Sequence, residues 1–132
     1  MVNKVERFWI VDDDMVYRFT TEKYIQMLKL PIEVRSFDDG EEALSCLREN
    51  VNKAENLPDI VMLDVNMPIM DGWDFLEEYE EIGKDISKEI RIYMVSSSID
   101  ERDQNRSKAN PLVTDYIIKP ITEEYLKQLV LG

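Results

Sequence analysis

The chain has 132 residues, and 16 lysines and arginines against 28 acids leave a formal charge of −12 at pH 7. That length suits one domain, and 44% hydrophobic residues supply a core, which argues against disorder; the negative field disfavours nucleic acid and acidic lipid and favours basic protein surfaces. A single cysteine, Cys46, excludes an internal disulfide, and the absence of histidine excludes Ser-His-Asp catalysis, imidazole metal ligands and a phosphohistidine on this chain.

The first strand is expected at RFWIV, ending on Asp12-Asp13-Asp14. A helix over Met15 to Leu28 follows, with Phe19, Tyr24, Met27 and Leu28 expected on its buried face, and Leu30-Pro31 ends it. IEVRSF reads as the second strand. Asp39, with Glu42 three residues on, caps a second helix whose apolar stripe is Ala43, Leu44 and Leu47. Asn50 to Pro58 reads as a solvated loop. DIVMLD is the third strand, and a helix from Asp71-Gly72 runs through Phe75, Leu76, Tyr79 and Ile82 to Gly83. EIRIYMV is the fourth strand. Asp100 to Ala109 predicts an almost wholly polar helix that packs lightly and moves readily. DYIIK is the fifth strand, and Thr122 opens a last helix carrying Tyr125, Leu126, Leu129 and Val130. Trp9, Trp73, the methionines and Cys46 read as packing residues. No window reaches the roughly 20 apolar residues that cross a bilayer, and MVNKVERFWI lacks a secretory stretch, so a cytoplasmic location is expected.

Strand alternating with helix implies an α/β fold with a doubly wound parallel sheet. In such a sheet the strand C-termini share one edge, where ligands bind. WIV runs into Asp12-Asp13-Asp14, VML into Asp64, YMV into Ser96-Ser97-Ser98, and the last strand into Lys119-Pro120. An isolated acid pair would merely cap a helix, but four polar strand ends on one edge describe a site.

Two carboxylates about 4 Å apart repel by about 4 kcal/mol at an effective dielectric near 20, so Asp12, Asp13 and Asp64 need a proton or a cation among them. An all-oxygen cluster favours a hard ion, with Mg²⁺ the best fit; calcium stays open, although DDDMVYRFT lacks the spaced acids and glycine of a helix-loop-helix calcium site. A phosphoryl group held by the metal, Lys119 and the Ser96 hydroxyl would then be open to attack by a carboxylate. Asp64 is the expected nucleophile, since the adjacent Asp12 and Asp13 are better suited to positioning metal.

The blocks WIVDDD, VMLDVNMPIMDGWDFL, YMVSSS and DYIIKP resemble the receiver domain of two-component response regulators, over essentially the whole chain. LDVNMPIMDG is the most specific of them. The resemblance implies a (βα)5 flavodoxin-like fold with strand order 2-1-3-4-5. It implies Asp64 as the phosphorylated aspartate, Asp12 and Asp13 as the Mg²⁺-binding pair, and the Asn66 carbonyl as a further ligand. It makes Ser96 the switch hydroxyl, Tyr116 the switch aromatic, and Lys119 the lysine before a commonly cis Pro120. Asn66 and Ser98 would tune the lifetime of the phosphoryl group. The implied donor is a phosphohistidine on a sensor histidine kinase or a histidine phosphotransfer protein. The implied oligomeric state is a monomer or a phosphorylation-dependent dimer.

Two departures accompany the resemblance. SKANPLVTDYIIKP lacks the Gly-Ala pair common before the fifth strand; the surrounding stretch is similar to single-domain receivers of the Bacteroidetes type. No output domain is expected, so the response would pass through a protein contact, a phosphorelay step or use as a phosphate sink. Two rival readings stand beside it. Asp12-x-Asp14-x-Val16 matches the start of haloacid-dehalogenase-type phosphatases, with Asp12 as nucleophile and Asp14 as acid/base. The other rival is a receiver-like binding module that acts without phosphate.

Overall fold

The β-branched and aromatic runs form strands and the polar, periodically apolar stretches form helices, as their side-chain preferences require. The computed structural model describes residues 4–131. In chain order the elements are β1 (Arg7–Val11), α1 (Met15–Met27), β2 (Glu33–Phe37), α2 (Gly40–Glu49), a 3₁₀ turn (Ala54–Asn56), β3 (Ile60–Asp64), α3 (Gly72–Gly83), β4 (Arg91–Ser96), α4 (Glu101–Ala109), β5 (Val113–Ile118) and α5 (Glu123–Leu131). All strand pairs are parallel, and the order is β2-β1-β3-β4-β5, as expected.

Each helix begins on an oxygen that accepts main-chain N–H groups its own ladder leaves free. Asp14 accepts from Val16 and Tyr17, Asp39 from Glu42, Asp71 from Asp74 in a reciprocal capping box, Asp100 from Arg102, and Thr122 from Tyr125. Part of the acidic surplus therefore serves helix N-termini, where the helix dipole favours negative charge.

Side chains alternate across the sheet and build a core on each face. Trp9, Val11, Val61, Leu63, Ile92 and Met94 face α2 and α3, meeting Leu44, Leu47, Phe75 and Leu76. Phe8, Ile10, Ile60, Met62, Tyr93 and Val95 face the other way, against Ile25 of α1 and Leu126, Leu129 and Val130 of α5. The central strand β3 is buried along its whole length.

Several expectations change in detail. On α1, Phe19 and Met27 are 59% and 61% exposed, and the buried face is Thr21 and Ile25, with Tyr17, Tyr24 and Leu28 packed beside them. At about 100° per residue, Phe19 stands some 200° from Tyr17 and Met27 as far from Ile25, which turns both outward. Met15 is also exposed, so the methionines are not all packing residues. The stretch before β3 is not wholly solvated: it contains the 3₁₀ turn, and Leu57 is fully buried. β5 begins two residues earlier than DYIIK, at Val113, because a register shift at Ile92/Tyr93 lets Val113 pair with Ile92. Cys46 is half-buried, its Sγ accepting from Arg35 Nη1 at 3.0 Å. α4 is as polar as expected, and Ser107 is its one buried residue.

Candidate functional site

The acids at the ends of β1 and β3 are held by turns of their own backbone. Asp12 Oδ1 accepts the Asp14 N–H at 2.8 Å, and its carbonyl accepts from Arg18 Nη1 at 2.6 Å. Asp64 Oδ1 accepts the Asn66 N–H at 3.2 Å. The next residues close on Gly72, whose N–H donates to the Val65 carbonyl at 2.9 Å. A Cβ on Gly72 would lie 2.8 Å from the Asp64 carbonyl oxygen, so only glycine lets α3 start this close to the strand end.

These turns bring Asp12, Asp13 and Asp64 together, with one carboxylate oxygen from each within 4.8 Å of the others. Asp12 and Asp64 are buried, at 1% and 4% exposure, whereas Asp13 is exposed. Lys119 closes the cluster: its Nζ lies 2.9 Å from Asp12 Oδ2 and 3.7 Å from Asp64 Oδ1. The lysine is placed through its own N–H, which donates to the Ser96 carbonyl at 2.8 Å, and the Lys119-Pro120 peptide is cis. The ammonium also lies over the Tyr17 ring, 4.4 Å from its centroid.

Electrostatics follow from this crowding. Burial, then the Asp12 charge and to a smaller extent Asp13, push the Asp64 carboxyl up from 3.8 to about 7; Lys119 and the Asn66 N–H oppose the shift. Burial, reinforced by Asp12 and Asp64, pushes the Tyr17 phenol well above its ordinary value, so its ring is neutral. The buried Asp12 Oδ2 receives no aligned hydrogen bond even with Lys119 beside it. An under-coordinated buried carboxylate oxygen within an all-oxygen acidic cluster is the donor set a hard divalent cation requires.

Ser96 is fully buried, and its Oγ accepts from Asn66 Nδ2 at 3.1 Å and from the Ser98 N–H at 3.0 Å. Ser96 and Asn66 thus touch at the edge of the acidic cluster. Tyr116 is half-buried, and its hydroxyl donates to the Ser98 carbonyl at 3.1 Å, joining β5 to the loop before α4. Asp12, Asp13, Asp64, Asn66, Ser96 and Lys119 stand at the C-terminal edge of the sheet; Tyr116 lies inside β5, paired with Met94 of β4, and Asp14 gives its carboxylate to the N-terminus of α1 and stands outside the cluster.

Three neighbours of the site had no distinct sequence signal. Tyr17 and Arg18 read as ordinary helix residues, although both fall in the first turn after the Asp14 cap, which aims them back at the strand end. Ile69 stands in the turn after Asp64 with φ of 69°, fully exposed, as Met70 N–H donates to the Pro68 carbonyl at 2.7 Å. That is a three-residue turn with a β-branched residue in the left-handed region, a strained combination.

Comparison with known proteins agrees with the fold. The response regulator receiver domain family matches residues 8–131. Two-component response regulator ARR14 of Arabidopsis thaliana is 32% identical over 93% of this chain. Sensor histidine kinase CheAY of Helicobacter pylori is 29% identical over 91%. The chain spans 29% of the length of the first of these relatives and 14% of the second. A solved two-component response regulator from Cytophaga hutchinsonii superposes with a TM-score of 0.84 at 29% identity, covering 98% of both chains. The chain therefore belongs to the response regulator receiver domain family, the phosphorelay signalling domains of two-component systems.

Proposed function

We propose that Asp64 accepts a phosphoryl group from a phosphohistidine on a sensor histidine kinase or histidine phosphotransfer protein, in a Mg²⁺-dependent reaction, and that the modified site re-faces a protein-interaction surface. The observation carrying this reading is the meeting of Asp12, Asp13 and Asp64 oxygens beside the Lys119 ammonium. With no histidine among these 132 residues, the donor imidazole lies outside them.

Mg²⁺ would be held by Asp12, Asp13, Asp64 and the main-chain carbonyl of Asn66, and when bound it offsets negative charge on the phosphoryl oxygens. A carboxylate oxygen of Asp64 forms the new bond to phosphorus; the P–N bond to the donor imidazole breaks, and its electron pair leaves with the nitrogen. Lys119 exchanges part of its contact with Asp12 for a phosphoryl oxygen. The Ser96 hydroxyl, which now accepts from Asn66 and Ser98, turns to donate to another. Moving Ser96 disturbs Ser98, and through Ser98 the hydroxyl of Tyr116. Asp64 thus drives a rearrangement of the β4–α4 loop and the α4 face.

Asn66 and Ser98 flank the approach of water to Asp64 and set the phosphoryl lifetime. The domain is a phosphoacceptor with slow self-catalysed dephosphorylation, acting as a cytoplasmic monomer or phosphorylation-dependent dimer. Among the described residues no helix is long and apolar enough to cross a membrane.

Incubation with Mg²⁺ and acetyl phosphate, followed by intact mass, tests the reading. One added phosphoryl group is expected on the wild type and none on Asp64→Asn. An adduct that survives Asp64→Asn and disappears in Asp12→Asn would instead identify the phosphatase-like use of the first strand.

A further inference from the structure

We infer that Tyr17 is a positioning residue: the face of its ring holds the Lys119 ammonium at the seam between Asp12 and Asp64, ready for an incoming phosphoryl group. The inference rests on the phosphoacceptor reading above. A lysine head is a strongly hydrated point charge on a flexible four-carbon stem, and left to itself it turns toward water. Here the Lys119 side chain is only 18% exposed, with its ammonium 2.9 and 3.7 Å from the Asp12 and Asp64 carboxylates and 4.4 Å from the centre of the Tyr17 ring. The ring attracts the cation through its π-face.

The ring is tied to the same acid the lysine pairs with. Asp12 Oδ1 accepts the Asp14 N–H, and Asp14 Oδ1 accepts the Tyr17 N–H at 3.2 Å, so the turn that places Asp12 also places Tyr17. The Tyr17 hydroxyl is buried without an aligned partner, which leaves the ring face as the part in contact with the lysine. An attraction spread over a ring face has no fixed direction. It restrains the ammonium while letting it slide from the Asp12 carboxylate toward a phosphoryl oxygen, which a third carboxylate in that place would oppose.

The test compares phosphorylation rates with Mg²⁺ and acetyl phosphate in the wild type, Tyr17→Phe, Tyr17→Leu and Tyr17→Met. Tyr17→Phe keeps the ring and is expected within about twofold of the wild type, while the two aliphatic variants slow by about tenfold. Should Tyr17→Leu fail to fold, Tyr17→Met, longer and more adaptable, carries the comparison. A metal-free readout uses urea unfolding of Tyr17→Met, Lys119→Met and the double variant. Direct contact predicts that the double variant loses less than the sum of the single losses. Equal rates in all four proteins, additive unfolding, or a Tyr17→Phe rate as slow as Tyr17→Leu would overturn the inference. Absence of any adduct on the wild type would sink the phosphoacceptor reading instead.

Discussion

The Arg106 guanidinium of α4 sits 4.4 Å above the ring of Trp73, two residues into the helix that starts at the Asp64 loop. α4 has one buried residue and is otherwise polar, so this stacking is a substantial part of what ties it to α3. Trp73 follows Gly72, which abuts the Asp64 main chain, so the contact links the acidic cluster to α4 by a path separate from Ser96 and Tyr116.

Replacing Arg106 with alanine removes that stack. It should cost only about 1 kcal/mol of global stability, yet speed amide hydrogen exchange selectively in α4 and change Trp73 emission. Unchanged exchange in residues 101–109 would mean that α4 is held by its other contacts.

Gly72→Ala places a methyl group 2.8 Å from the Asp64 carbonyl and 2.9 Å from the Val65 Cα, both main-chain atoms that cannot move without shifting β3. A loss of about 2–3 kcal/mol in urea unfolding is expected. Gly40→Ala is the control. Its nearest contact, 3.1 Å, is with the sulfur of the flexible Met70 side chain, so the loss there should be clearly smaller.

Ile69 gives the opposite prediction. Its side chain is fully exposed and its φ is 69°, so Ile69→Gly loses no burial and relieves backbone strain. A gain of about 1 kcal/mol is expected in thermal or urea unfolding, even though glycine loosens the unfolded chain. A lower midpoint would show that the isoleucine contributes through contacts on its backbone side.

The pH dependence turns on Asp64. Its carboxyl is raised from 3.8 to about 7, chiefly by burial, so between those values the folded protein keeps a proton that the unfolded chain has released. The sign is negative: without metal, this group's contribution is full below about pH 4 and is lost as pH rises through about 7. Asp64→Asn should flatten that fall in metal-free unfolding curves. Because the cation requires the ionised carboxylate, Mg²⁺ binding should weaken as pH drops through about 7, and calorimetry in buffers of different ionisation heat should register proton release.

The fold was largely legible in one dimension because its signals are local. Parallel β3 is buried on both faces and so reads as the unbroken run IVMLD, and the aspartates before the helices are caps that work within three residues of themselves. The candidate site was legible for a related reason: a doubly wound sheet sends every strand's C-terminus to one edge, so Asp12, Asp64, Ser96 and Lys119 could be assembled from strand order alone. What lay beyond the sequence depended on distance through space. Whether Phe19 or Thr21 faces the core is set by the rotation of α1 on the sheet, and hydrophobicity misjudges it because Thr21 is polar yet fully covered. The Tyr17 ring meets Lys119 across 102 positions of chain, and Arg106 meets Trp73 across 33, with no local pattern to announce either pair. Residue types and strand order thus determined which groups gather; only packing decided which neighbours hold them in place.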